Sequence, residues 1–120
     1  MNQNFGQPVM SREDRVAGAL LEIIESPEWD RRCVRRIPYF GPVSIRQEGT
    51  NSARLSAFAR DISTGGIGLV HLMPLENCEV VITMKLPSGK PIELLTQIRW
   101  CRNFGDGWFA SGGEFLDVVE

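Results

Sequence analysis

The chain has 120 residues, of which 42% are hydrophobic and 23% charged, and its 13 basic and 15 acidic side chains give a formal net charge of −2. One domain with one core is the expectation at this length. The near-neutral balance excludes a disordered polyelectrolyte and speaks against a generic nucleic-acid binder, whose domain would be clearly basic.

In chain order, residues 1–10 (MNQNFGQPVM) are polar and uncharged and read as a flexible tail. They lack the basic start and apolar stretch of a signal peptide. A helix is predicted over 11–27. Ser11 is a good N-cap, and Asp14, three residues on, stands where a capping box has Glu. Glu13 and Asp14 suit the dipole of the first turn. Val16, Leu20, Ile23 and Ile24 form one apolar stripe at helical spacing, and Pro27 ends it. That stripe needs a cover, either the chain's own domain or the same helix of a second subunit in a homodimer.

The remainder reads as β-structure. Six short strands are predicted: Val43–Glu48, Leu55–Ile62, Ile67–Leu72, Val80–Leu86, Ile92–Trp100 and Trp108–Phe115. Leu55–Ile62 alternates apolar and polar with period two. Turns are marked by Pro87-Ser-Gly-Lys90 and Asn103-Phe-Gly-Asp-Gly107. This spacing suggests an antiparallel barrel or sandwich. The longest apolar stretch, Ala17–Ile24, contains Glu22 and is far short of the roughly 20 residues a spanning helix needs, so no membrane insertion is expected. Three well-separated cysteines, Cys33, Cys78 and Cys101, fit reduced thiols and a cytoplasmic setting better than a disulfide framework.

No catalytic set is evident, and the chain is not expected to be an enzyme. His71 is the single histidine and sits in an apolar stretch, which reads as a strand histidine beside the core. There is no C-x-x-C pair for a metal. Gly89-Lys90 lacks the rest of a phosphate-binding loop, and Gly66-Ile-Gly68 lacks the third glycine of a dinucleotide fingerprint.

The charge is unevenly placed. Residues 1–30 carry 2 basic and 6 acidic groups, residues 31–60 carry 7 and 1, and residues 61–120 carry 4 and 8. Within the basic stretch, Arg31, Arg32, Arg35 and Arg36 are packed into six positions. Arginine outnumbers lysine 11 to 2 in the chain. Its planar fork can grip phosphate oxygens or the edge of guanine in bidentate fashion. A solvated basic linker is the plainer reading of such a cluster. Farther on, Arg60-Asp-Ile-Ser-Thr-Gly-Gly-Ile-Gly68 places Asp61 and Ser63 two residues apart, before glycines that permit positive φ and close approach of a ligand. The plainer reading here is a hairpin turn whose polar side chains satisfy their own backbone.

Taken in order, Arg32-Cys-Val-Arg-Arg36 (R-x-x-x-R) and Asp61-Ile-Ser-Thr-Gly-Gly66 (D-x-S-x-x-G), 24 residues apart, resemble the paired motifs of the PilZ domain, a bacterial receptor for cyclic di-GMP. The resemblance extends to Gln97-Ile-Arg-Trp100 and Gly112-Gly-Glu-Phe115, and it runs over 28–120. It implies a mainly β fold, a six-stranded antiparallel barrel preceded by one N-terminal helix. It also implies that Arg32 and Arg36 grip phosphates and the guanine edge, that Asp61 reads guanine, that Ser63 bonds polar ligand atoms and that Gly66 leaves room. Arg31, just before the first motif arginine, implies an intercalated pair of cyclic di-GMP molecules. Arg35 is either a further phosphate contact or solvated. Trp100 is expected in the core rather than against a guanine face.

The expected function is that of a stand-alone cytoplasmic receptor that relays ligand binding to an unidentified effector protein by conformational change. Two alternatives stand beside it. One is a PilZ-fold adaptor acting through protein contacts without nucleotide. The other is a small nucleic-acid-binding barrel, disfavoured by the acidic flanks and by the lack of evident aromatic interleaving.

Overall fold

A computed structural model describes residues 12–20, 37–47 and 54–119. One helix, α1 (Arg12–Ala19), precedes six strands: β1 (Ile37–Gln47), β2 (Leu55–Ile62), β3 (Gly66–His71), β4 (Glu79–Lys85), β5 (Pro91–Gly105) and β6 (Trp108–Val119). All neighbours are antiparallel, and the strands close into a barrel in the order β1-β2-β3-β6-β5-β4. Closure satisfies most strand edges internally.

Period-two patterning fills the barrel. Val43 and Ile45, Ala57 and Ala59, Ile67 and Leu69, Val80, Ile82 and Met84, Leu94 and Ile98 alternate inward along their strands and form one buried cluster. Ile62, Ile92 and Phe115 complete it. These are largely branched aliphatic side chains, which suit a pleated and half-buried surface.

Two strands are longer than their sequence pattern predicts. β1 begins at Ile37 rather than near Val43, although Pro38 and Pro42 lie within it. β4 pairs with β1 only along Ser44–Gln47, so the earlier part of β1 has β2 as its ladder partner and tolerates residues without an N–H. The β1–β2 register also shifts between Pro38 and Gly41. β5 continues past Trp100 to Gly105 and forms a long hairpin with β6 through Asp106 and Gly107, both of which take positive φ.

The described helix ends at Ala19. Leu20 lies in a turn, its N–H shared between the carbonyls of Val16 (3.1 Å) and Ala17 (3.2 Å). The glycine one residue before the end, Gly18, lowers the propensity to continue. The expected cap Ser11 and the stripe residues Ile23 and Ile24, with Pro27, lie outside the described residues. Val16 and Leu20 are buried in the barrel's own core cluster. Burying them stabilises the docked helix by about 1.5–3 kcal/mol each at most. Arg15 adds a two-pronged ion pair, Nε to Asp117 Oδ1 and Nη2 to Asp117 Oδ2, both 2.8 Å. This half of the stripe is therefore covered by its own β6 end of the barrel and not by a second subunit.

Candidate functional site

The D-x-S-x-x-G segment lies at the β2–β3 connection. Ser63 is buried, and its hydroxyl oxygen accepts the N–H groups of Gly65 (3.1 Å) and Gly66 (3.2 Å). Its own N–H donates to the Gly66 carbonyl (2.9 Å). The Gly65 carbonyl in turn accepts the N–H of Phe115 on β6 (2.9 Å). Ser63 thus builds the turn, with both oxygen lone pairs used and only the O–H proton left to donate. Among the described residues the glycines at positive φ are Gly89, Gly105 and Gly107. The conformational freedom expected at Gly65 and Gly66 is therefore not what the turn uses.

Asp61 owes its position to a β-bulge. Across β2 and β3, Ala59 pairs with Leu69 and Asp61 with Gly68, which leaves Arg60 as an extra residue. Adjacent strand residues normally point to opposite faces. Here the bulge turns both Arg60 and Asp61 outward, while Ala59 and Ile62 stay in the core. That is why these sequence neighbours can bond, Arg60 Nε donating to Asp61 Oδ2 at 3.0 Å. The Asp61 carboxylate lies over Gly68, where an added Cβ would sit 2.8 Å and 2.9 Å from its two oxygens.

A second bulge faces the first. On β5 and β6, Ile98 pairs with Gly113 and Trp100 with Gly112, so Arg99 is extra and both Arg99 and Trp100 point outward. Arg99 bonds Glu114, Nε to Oε1 at 2.8 Å, and its Nη2 approaches the same oxygen. The Trp100 indole lies flat on Gly112, where a Cβ would come within 2.5 Å of Cε2 and closer still to Nε1. Gly68 and Gly112 are themselves cross-strand partners. The outer barrel face therefore carries a trough of two facing glycines that side chains fill, Asp61 over Gly68 and Trp100 over Gly112, with Arg60 and Arg99 beside them.

Trp100 is 40% exposed. This corrects the expectation of a core tryptophan, and the reason is the bulge, which shifts it out of phase with Ile98 and Cys101. The guanidinium of Arg102 stacks on its ring at 5.3 Å. Beside the trough, the pairings Phe58–Val70, Val70–Ala110 and Ala110–Arg102 form a second outward row.

Sequence patterning missed the floor of this trough. Its signal was present in Gly68, a glycine at an outward position between core residues Ile67 and Leu69. It was also present in the paired outward residues Arg60-Asp61 and Arg99-Trp100, each of which breaks the alternation.

The remaining sequence-predicted residues divide in two. Asp61, Ser63 and Gly66 come together at one end of the trough, Gly66 paired with Glu114. Arg31, Arg32, Arg35 and Arg36 lie outside the described residues. β1 nevertheless starts at Ile37, one residue after Arg36, and its register sets Ile37 against Ile62 and Pro38 against Asp61.

His71 is inside the barrel, as a strand histidine beside the core should be. Its Nδ1 is 2.6 Å from the Met73 carbonyl and its Nε2 2.6 Å from Ser111 Oγ, and its ring stacks on Phe109. A carbonyl can only accept, so Nδ1 carries the proton and Nε2 accepts the Ser111 hydroxyl. Burial pushes its pKa below the ordinary value, against a smaller upward pull from the Met73 carbonyl. This neutral histidine is fully engaged in holding β3, β6 and the following loop. Among the described residues no cluster of His, Cys, Asp and Glu suits a metal ion, and no helix is long and apolar enough to cross a membrane.

Comparisons with known proteins bear on this geometry. A search of curated proteins finds no match. Among solved structures, the chain is similar to the Bacillus subtilis inhibitor of motility (MotI/DgrA), with a TM-score of 0.59 and 19% identity over 70% of this chain and 42% of that one. The match therefore spans less than half of the MotI chain. It is also similar to the PilZ domain of CeSA from a cellulose-synthesizing bacterium, with a TM-score of 0.54 and 22% identity over 68% of this chain and 80% of that one. At these identities the likeness concerns the fold. The sequence itself matches the PilZ domain over residues 30–120, which includes every strand of the barrel. The chain belongs to the PilZ domain family.

Proposed function

We propose that this chain is a receptor for cyclic di-GMP, binding it at the glycine-floored trough and relaying occupancy to a partner protein in the cytoplasm. One observation carries the reading. The β1–β2 register sets Pro38 alongside Asp61, so the strand that directly follows the first motif in sequence is the one paired with the start of the second.

The roles follow from the chemistry. Arg32 and Arg36 grip phosphate oxygens and the guanine edge through bidentate hydrogen bonds. Asp61 accepts the N–H donors of guanine from a carboxylate already aimed by Arg60. Ser63 offers its remaining proton and keeps the turn in shape. Gly66 leaves room, and the missing side chains at Gly68 and Gly112 let Asp61 and Trp100 lie close to the sheet, where they meet the base. Trp100 borders the base face opposite Asp61. Arg31 supports a stacked pair of ligand molecules.

Neutralising the four clustered arginines with a dianionic nucleotide removes their mutual repulsion. The segment that follows α1 can then settle on the barrel, shifting the population of helix positions. The effector reads that shift.

Isothermal titration with cyclic di-GMP tests the reading. Saturable heat with about two ligands per chain, absent with GTP, is the expected result. Arg32→Ala and Arg36→Ala should each weaken binding by about 1.5–3 kcal/mol, roughly 10–150-fold. No heat at tens of micromolar protein would overturn it in favour of an adaptor that works without nucleotide.

A further inference from the structure

Among the described residues, several strand ends of the barrel lack a partner on one side, and one of them lies on β5. β4 pairs with β5 along Pro91–Gln97. One more backbone bond follows, from the Ile98 N–H to the Cys78 carbonyl (2.9 Å), and there the chain before β4 turns away. β5 continues to Gly105 with β6 on one side. On the other side, among the described residues, no backbone bond reaches Arg99–Phe104.

An open strand edge is a row of unpaired N–H and C=O groups, able to template another strand. Proteins blunt such edges when they must stay single. Here the outward side chains are the opposite of blunting. Trp100 and Arg102 point outward two positions apart, and Phe104, left extra where the β5–β6 register shifts between Asn103 and Gly105, is 59% exposed. The opposite face of the strand is held from within, where Cys101 Sγ accepts the Leu75 N–H (3.5 Å). The edge is therefore presented on a supported hairpin and not on a free ribbon.

Charge selects the occupant. No carboxylate occurs between Arg99 and Gly105. Arg99 is paired with Glu114. The guanidinium of Arg102 meets the Trp100 ring and, among the described residues, no carboxylate. A second copy of this strand would bring the same arginines and aromatics, with like charges facing across the new ladder. We infer that the β5 edge from Arg99 to Phe104 receives an extended acidic segment of a partner protein by strand addition. Its main chain continues the sheet beyond β5, and a carboxylate pairs with Arg102 while apolar neighbours cover Trp100 and Phe104. The inference does not rest on the proposed nucleotide site, although the two share Trp100.

Amide hydrogen exchange on the intact chain tests it, with two synthetic hexapeptides as probes, alternating Glu-Val and alternating Lys-Val. The Glu-Val peptide at ~1 mM, a level suited to weak encounters, should slow exchange of edge-facing amides between Arg99 and Phe104 at least several-fold. The Lys-Val peptide should not. The Arg102→Glu variant, an exposed change that leaves the barrel core untouched, should reverse this preference. No protection with either peptide would overturn the inference, as would equal protection by both or an unchanged preference in the variant. Protection that appears without peptide and grows with protein concentration would also overturn it, making a second copy the occupant.

Discussion

Gly112→Ala should destabilise the barrel through one side chain. A Cβ at this position would fall within 2.5 Å of the indole Cε2 of Trp100. The ring cannot stay, and because it lies on the outer face it can swing into solvent. A tryptophan that is 40% exposed keeps more than half of its surface covered. A large aromatic side chain buries roughly 150–250 Å², and at about 25 cal/mol per Å² losing half of the lower figure costs about 2 kcal/mol. Losing the Arg102 stack adds about 0.5–1 kcal/mol. The expected cost is therefore about 2–3 kcal/mol, read by urea unfolding with tryptophan emission shifted to the red before the transition. A double-mutant cycle isolates the cause. In a Trp100→Ala background, Gly112→Ala should cost less than about 0.5 kcal/mol, because the atoms it displaces are gone. An equal cost in both backgrounds would refute the reasoning and place the strain in the backbone.

Gly68→Ala should behave differently. The atoms nearest its Cβ would be the two carboxylate oxygens of Asp61 and the Arg60 guanidinium, which are side-chain ends able to move. Stability should fall by less than about 1 kcal/mol, while calorimetry with cyclic di-GMP should show roughly tenfold weaker binding or worse. His71 makes stability pH-dependent. Its folded pKa lies below the unfolded value, so the unfolded chain takes up the proton first on acidification. The contribution is complete above about pH 6.5 and declines as pH falls below it, by at most about 1.4 kcal/mol per pH unit. Urea midpoints at about pH 7.5 and 5.5 should differ in that sense, and His71→Gln should remove this component. Asp117→Asn should loosen α1, costing about 0.5–1 kcal/mol for a half-exposed, two-pronged pair. Faster amide exchange at Val16 and Leu20 is the measurement that checks it.

The strands were legible because their inward residues are aliphatic and recur at every second position, as in Val80-Val-Ile-Thr-Met84. The order of the strands was not, since nothing in local pattern says that β3 leaves β4 to pair with β6. The prolines of β1 hid its true start, because a proline is excluded only where a ladder needs its N–H. At the proposed site, Asp61, Ser63 and Gly66 could be named only through the resemblance of their motif to that of the PilZ domain. The hydroxyl of Ser63 turned out to serve the turn's own backbone, which residue type alone cannot separate from a ligand contact. Trp100 was misassigned because the alternation that would bury it holds only if Arg99 is not an extra residue. A bulge is a property of two strands together and is invisible in one.

The paired bulges have a consequence for how this surface can change. Without Arg60, the partners Ala59–Leu69, Asp61–Gly68 and Ile62–Ile67 would form a regular ladder toward β3. Without Arg99, the same is true of Ile98–Gly113, Trp100–Gly112 and Cys101–Ser111. Each arginine is a phase-neutral insertion, since the strand beyond it keeps the same face toward the core whether or not it is present. Selection can add, delete or replace the cation at either spot without rewriting the hydrophobic code of the barrel. The electrostatics of the outer face and the foldability of the chain are thereby separate variables.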